Sequence, residues 1–141
     1  MDCMICDIAS GKGKLPLIYE GKYWIVNHVY PSQIKGWLAL SIKNHKTAFH
    51  KISEKEIEEL SSLILKLTKL LKKTTNCKKE YILSSNECVE HFHFHIVPRA
   101  KDLKKEWIGP KIYNAIRIKE EDSISNDELI LFSKFLKNKL K

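Results

Sequence analysis

The stretch His91-Phe-His-Phe-His-Ile-Val-Pro-Arg99 decides how this chain is read. Side chains on a strand alternate between faces. His91, His93 and His95 therefore share one face, spaced by roughly 6.6 Å at a rise of roughly 3.3 Å per residue. Phe92, Phe94 and Ile96 point the other way, toward a core. Half of the chain's six histidines thus stand in one row. A lone histidine on a strand is ordinarily a surface or core residue. Three in strict alternation with large apolar residues ask for chemistry or a metal, because such a row loses stability whenever it protonates. Two chemistries fit. His-x-His on one strand can hold zinc with an open position that activates water, although no acidic residue is obviously placed to complete such a site. Alternatively, a neutral imidazole attacks phosphorus through one ring nitrogen while the other is held by a hydrogen bond. Neighbouring histidines then donate to phosphoryl oxygens.

The flanking sequence supplies the frame. Upstream of the row, Leu17–Glu20, Tyr23–His28 and Trp37–Ile42 read as strands, with Gly21-Lys22 as a tight connection between the first two. The third is apolar enough to be buried on both faces. Ser53-Glu-Lys-Glu56 is a capping box opening a long helix. Its apolar stripe is Ile57, Leu60, Ile64, Leu67 and Leu71, widened by Leu63 and Leu70. Tyr81–Leu83 and His91–Val97 are the last two strands, and Pro98 ends the second. Ser125-Asn-Asp-Glu128 opens a terminal helix whose core face is Leu129, Phe132, Phe135, Leu136 and Leu140. This order predicts an α+β fold with an antiparallel sheet, one long central helix and a C-terminal helix. No repeat or linker interrupts residues 1–141, so one domain is expected. Pattern alone assigns no role to Ala100–Glu121.

Composition narrows the function. The 43% hydrophobic and 30% charged content suits a chain with a core. No apolar run approaches the roughly 18 residues that cross a bilayer, so no membrane partner is expected. Residues 1–11 carry Asp2 and Asp7 and no cationic segment, so they do not read as a signal peptide, and a reducing, cytoplasmic setting is expected. In that setting Cys3, Cys6, Cys77 and Cys88 do not read as a disulfide framework. The net charge of +8 rests on lysine, with Arg99 and Arg117 the only arginines. The lysines are scattered, without the aromatic-interleaved basic stripe of a nucleic-acid binder. Phosphate-bearing small molecules suit the charge, and nucleic acid is not the expected partner.

The row His91-Phe-His93-Phe-His95-Ile-Val97 resembles the His-φ-His-φ-His-φ-φ signature of the histidine triad (HIT) superfamily, φ being apolar. The resemblance extends over roughly residues 3–99. Cys3-x-x-Cys6 with Ile8 and the strand Ile18-Tyr-Glu20 is similar to the usual start of these proteins. Gly36-Trp-Leu-Ala-Leu-Ser-Ile-Lys-Asn-His45 is similar to their Gly-x-Leu-Val-φ-x-x-Lys-x-His strand, and Pro98-Arg99 to their ending. The resemblance implies a homodimeric α+β protein acting on nucleoside phosphoramidates, dinucleoside polyphosphates or nucleotidyl-linked substrates. It implies His93 as the nucleophile that becomes nucleotidylated, with a backbone carbonyl orienting its other nitrogen, and His95 as the residue that contacts the phosphate. In some members a Cys-x-x-Cys, the histidine after the Gly-x-Leu-Val strand and the first triad histidine bind structural zinc. Here these are Cys3, Cys6, His45 and His91, a closed set of two thiolates and two imidazoles. The other readings of the cysteine pair are a redox couple or idle thiols, and no strand precedes it as a redox motif requires.

Two features depart from the pattern. Glu87 stands where many members carry a phosphate-contacting glutamine, and Cys88 stands for the hydroxyl residue beside it. A carboxylate near phosphate is repulsive, so either Glu87 or Glu90 points away, or the substrate differs. Asn27, near the end of the second strand, is the candidate ribose contact, one position off the family spacing to Pro31. Asn27, Cys88 and His95 are thus the expected substrate-binding residues. His28 reads as a surface or core residue and His50 as a surface one. Trp24, Trp37 and Trp107 read as packing and stay outside the site.

Overall fold

Ser53 caps the long helix as its sequence demands. The hydroxyl accepts from the Glu56 N–H, and the Glu56 carboxylate returns to the Ser53 N–H. Helix and cap belong to a computed structural model that describes residues 2–141. The elements run α1 Met4–Ala9, β1 Leu17–Glu20, β2 Trp24–His28, β3 Leu38–Ile42, α2 Glu54–Thr75, β4 Lys79–Leu83, β5 His93–Arg99 and α3 Asn126–Leu140. The five strands form one antiparallel sheet in the order β1-β2-β3-β5-β4. The α+β expectation is met. Among the described residues no helix is long and apolar enough to cross a membrane.

Alternation divides the sheet into two unlike faces. Trp24 and Val26 of β2, Leu38, Leu40 and Ile42 of β3, and Ile96 of β5 are buried against α2 and α3. From α2 the buried apolar residues are Leu60, Leu63, Leu67 and Leu71, each contributing roughly 1.5–3 kcal/mol by leaving water. The stripe is thus turned from the one predicted, with Ile57, Ile64 and Leu70 at its margins. In α3, Leu129, Phe132 and Leu136 are buried while Phe135 is 43% exposed, which removes Phe135 from the expected core face. Ser125 caps α3 through the Glu128 N–H.

β2 and β3 each begin one residue later than the sequence reading, β4 begins two residues earlier at Lys79, and both ends of β5 shift. β5 begins at His93, two residues later than predicted, because His91 and Phe92 are drawn to the segment after β3. Phe92 N–H donates to Lys46 O, and Ile42 N–H to Phe92 O. β5 also runs through Pro98 to Arg99. Pairing with β3 stops at Leu38–Ile96, and Pro98 is paired to Glu80 of β4 alone, so it stands past the end of the neighbour its ring would disrupt. Gly36 enters β3 at φ +98°, and a Cβ there would meet Pro98 Cγ at 2.8 Å, so only glycine fits. Residues 100–121 coil in short 3-10 turns that bury Ile112 and Ala115 against Ile34, Trp37 and Val97. The stretch without a predicted role thus covers one end of the sheet.

Candidate functional site

The second face of the sheet carries the chemistry. The register aligns Asn27, Ala39 and His95 in one row across β2, β3 and β5, and Ile25, Ser41 and His93 in the next. Ala39 and Ser41 are small, so space remains before the two histidines. A cavity of about 260 Å³ occupies it. Its walls are Met4, Ile5 and Ile8 of α1, the loop Ser85–Val89, Tyr113 and Ile116, besides the strand residues. A larger groove of about 630 Å³ lies beside Trp107 and Phe135 but holds no histidine, so the smaller cavity is the candidate site.

Partners determine which nitrogen of each histidine bears hydrogen. His93 Nδ1 lies 2.8 Å from the His91 carbonyl, which can only accept. Nδ1 therefore carries the hydrogen and Nε2 keeps its lone pair. Burial holds the His93 pKa below the ordinary histidine value, against the raising effect of that carbonyl bond, so the ring is neutral at neutral pH. The backbone of His93 is held too. Its N–H donates to Asn86 Oδ1 at 2.8 Å, and its carbonyl accepts from Ser84 Oγ at 2.8 Å. Asn86 adopts the left-handed conformation at φ 59° to do so. His95 has the opposite arrangement. Its Nδ1 accepts from the Trp37 indole N–H at 2.9 Å, since an indole nitrogen only donates. Desolvation, then the neighbouring His93, push the His95 pKa down to about 4. The two rings stand nearly perpendicular, 4.8 Å apart.

His91 is separated from this pair. It is 1% exposed, and its Nε2–H donates to Ile42 O at 2.6 Å, leaving Nδ1 as a ligand atom. That Nδ1 lies 3.3 Å from Cys3 Sγ, 3.5 Å from Cys6 Sγ and 3.2 Å from His45 Nδ1. His45 Nδ1 lies 3.5 Å from Cys6 Sγ. Zinc at about 2.3 Å from sulfur and about 2.05 Å from nitrogen spaces tetrahedral S–N pairs by about 3.6 Å and N–N pairs by about 3.4 Å. These four distances fall within about 0.3 Å of those edges, and all the ligand atoms lie within 4.8 Å of one another. They form a candidate zinc site of the closed, structural kind. Cys3 is also the N-cap of α1, its sulfur accepting from Cys6 N–H.

The chain matches the HIT domain over residues 14–102. It belongs to the HIT domain family. No curated relative matches it in sequence. Among solved structures this HIT protein is similar to a HIT-like protein involved in cell-cycle regulation from Bartonella henselae, with a TM-score of 0.71, 15% identity, and coverage of 97% of this chain and 95% of the other. It is similar to a hypothetical histidine triad nucleotide-binding protein from Sulfolobus tokodaii, with a TM-score of 0.74, 16% identity, and coverage of 96% and 90%. It is also similar to a Zn-bound histidine triad family protein from Mycobacterium smegmatis, with a TM-score of 0.67, 18% identity, and coverage of 99% and 98%. The HIT fold in general supports nucleotide binding and hydrolase or transferase chemistry, though some members are non-catalytic.

The remaining sequence candidates fall as follows. Asn27 is 8% exposed and lines the cavity. Its Nδ2 donates to the His28 carbonyl, which leaves Oδ1 as an acceptor. Cys88 and Glu87 are both exposed and both line the cavity, whereas Glu90 lies outside it. His28 is a core residue with both nitrogens bonded, to Val29 O and Gly36 N–H. Burial chiefly lowers its pKa to about 4. His50 is exposed. Trp24 is core, its indole bonded to Glu56 O, and Trp107 packs in the second cluster. Trp37 was expected only to pack, yet it also holds His95. Its parity with Ala39 and Ser41 and the need of a buried indole N–H for a partner were the available signals. Asn86 and Ser84 gave no signal, because their bonds to the His93 backbone depend on a turn that only the folded loop shows.

Proposed function

We propose that this HIT protein is a nucleotidyl hydrolase or transferase that works through a covalent nucleotidyl-His93. The observation that carries the reading is the 2.8 Å bond from His93 Nδ1–H to the His91 carbonyl, which leaves Nε2 as a neutral nucleophile on the cavity wall. In the first step His93 Nε2 forms a bond to the α-phosphorus, and the bond from phosphorus to the leaving nitrogen or oxygen breaks. The leaving group departs with the electron pair and is protonated by solvent. In the second step a water or another acceptor attacks phosphorus, loses its proton, and expels His93. His95 donates a hydrogen bond to a phosphoryl oxygen, Asn27 Oδ1 accepts from a ribose hydroxyl, and Cys88 borders the phosphate. Cys3, Cys6, His45 and His91 would hold zinc, which would cross-link α1 to the sheet and is assigned no part in either step.

The cavity wall favours one substrate class. Among the described residues it includes no lysine or arginine, and Glu87 is its one carboxylate. A long polyphosphate chain would bring several negative charges to a wall with no counter-charge, whereas a single phosphoryl group joined to an amine brings about one. A nucleoside phosphoramidate is therefore the preferred substrate over a dinucleoside polyphosphate. The test is to incubate the protein with adenosine 5′-phosphoramidate and weigh it. An adenylyl adduct is expected with wild type and absent with His93→Ala. Failure to form an adduct or turn over any member of a panel including both classes would refute the proposal. Exposed Glu87 motivates a second reading, a nucleotide-binding regulator of the same fold. Tight nucleotide binding unchanged in His93→Ala, with no hydrolysis, would favour it.

The proposed unit is one domain over residues 1–141, cytoplasmic, acting as a homodimer. β4 supports the dimer: it is an unpaired edge of the sheet, and its Ile82 is 47% exposed. An open edge strand calls for cover, and exposed Ile82 gives that cover an apolar contact. Light scattering is expected to give a dimer for wild type and a monomer for Ile82→Glu, and a monomeric wild type would refute the assembly.

A further inference from the structure

Trp37 stands one residue before β3 and is 1% exposed. Its indole meets His95 edge-on, ring centres 5.8 Å apart at 88°, and its N–H reaches Nδ1 at 2.9 Å. An indole nitrogen offers no lone pair, so the His95 nitrogen facing it must be the acceptor. The hydrogen of a neutral His95 is then on Nε2. Among the described residues no other side-chain hydrogen bond competes for the ring.

We propose that Trp37 is a positioning residue that holds His95 as its Nε2–H tautomer, so that His95 serves as a hydrogen-bond donor to the phosphoryl group and not as a proton source for the leaving group. The catalytic half of this inference rests on the reading of His93 as nucleophile. Protonating His95 would place an Nδ1–H against the indole N–H, two donors with no acceptor between them. The other titratable groups around the ring are His93 on its own strand and Tyr30, Glu87, Cys88 and Tyr113 on the same cavity wall. Its cross-strand partners, Ala39 of β3 and Leu83 of β4, carry no charge. Desolvation and His93 act in the same direction as the indole, against the imidazolium. A neutral imidazole can share its Nε2–H, but it surrenders that proton only by becoming an imidazolate, which is too basic to form at neutral pH.

His93 and His95 are thereby held in opposite tautomers by opposite partners. The carbonyl of His91 turns one ring into a nucleophile, and the indole of Trp37 turns the next into a donor. Their 4.8 Å separation sets the donor beside the atom that His93 attacks. Charge on the phosphoryl oxygens is where such a donor acts most strongly.

The test joins nitrogen NMR to kinetics on the full chain. In uniformly ¹⁵N-labelled wild type at neutral pH, long-range ¹H–¹⁵N correlations are expected to show His95 Nδ1 unprotonated and Nε2 protonated. In Trp37→Phe, His95 Nδ1 is expected to move toward a protonated average, and the ring to titrate closer to the ordinary histidine range. Adduct formation from adenosine 5′-phosphoramidate is expected to slow about tenfold, short of the roughly 10²–10³-fold loss expected for removing the donor in His95→Ala, with KM little changed. If Trp37→Phe does not fold, benzothienylalanine at position 37 keeps the ring and removes the N–H. A wild-type His95 protonated on Nδ1 would overturn the proposal. So would nitrogen shifts unchanged in the substituted protein, with a rate within about twofold of wild type. Expected shifts with no adduct on His93 would overturn the nucleophile reading, and with it the donor role. An adduct with unchanged shifts would overturn the Trp37 inference alone.

Discussion

Replacing Cys6 by serine removes one of the four donors that tie α1 to the sheet, and its effect can be sized in advance. Cys6 and His91 are 85 positions apart. Closing a loop of that length in an unfolded chain costs roughly 4–5 kcal/mol at 25 °C, which is the ceiling for the stabilisation one cross-link adds. Observed cross-links commonly deliver less, so about 2–4 kcal/mol is expected. For 141 residues the unfolding entropy near 60 °C is about 0.3 kcal/mol/K, which makes each kcal/mol worth about 3 °C in Tm. The substitution should therefore lower Tm by about 7–13 °C. The assay is elemental analysis and scanning calorimetry of wild type, Cys6→Ser and His95→Ala, before and after a chelator. Wild type and His95→Ala are expected to hold one zinc per chain, and Cys6→Ser none. The chelator should bring wild type down to the Tm of Cys6→Ser and leave that variant unmoved. Because Met4, Ile5 and Ile8 of α1 line the cavity, zinc loss should also weaken nucleotide binding. Full zinc in Cys6→Ser, loss of zinc from His95→Ala instead, or a wild-type melt indifferent to the chelator would refute the reasoning.

Two further outcomes follow from single side chains. Asn86 combines a left-handed backbone with the bond to His93 N–H. Asn86→Gly keeps the conformation and loses the bond, while Asn86→Ala loses both and should be the less stable by about 1 kcal/mol. Urea midpoints and adduct rates for the pair check this, and equal midpoints would show that the loop is not held there. Glu56 is buried in its desolvating surroundings, but the Lys46 ion pair and the Ser53 bonds outweigh that burial and lower its pKa. A carboxylate with a depressed folded pKa stabilises the protein above the unfolded value, and the contribution disappears as pH falls through the folded one. Glu56→Gln should therefore have a lower urea midpoint at neutral pH and a flatter decline toward acid. Parallel wild-type and variant curves down to about pH 3 would show that the pair is not coupled to folding.

Local pattern was enough for much of the fold. Strand alternation and the Ser53 and Ser125 caps are set by neighbours within a turn or two. The errors fall where distant residues compete. His91 satisfies strand periodicity, yet the backbone bonds of Phe92 to Lys46 and Ile42 leave it outside β5. Pro98 is a strand breaker by itself, yet it sits in β5 because β3 has already ended. Phe135 satisfies helical periodicity, yet α3 presents it to solvent because the core beneath is filled by Phe132 and Leu136. Residues 100–121 lack a period because 3-10 turns bury single residues, Ile112 and Ala115, rather than a face.

From the chain as written came the row of three histidines and the antiparallel α+β frame, because strand alternation belongs to residues and their spacing, while the four zinc donors were implied by the resemblance to the HIT family. Which histidine nitrogen holds a hydrogen came only from the tertiary structure. That depends on a carbonyl at His91 and an indole at Trp37 reaching specific ring atoms, and hydrogen-bond partners are chosen by three-dimensional packing, not by order along the chain.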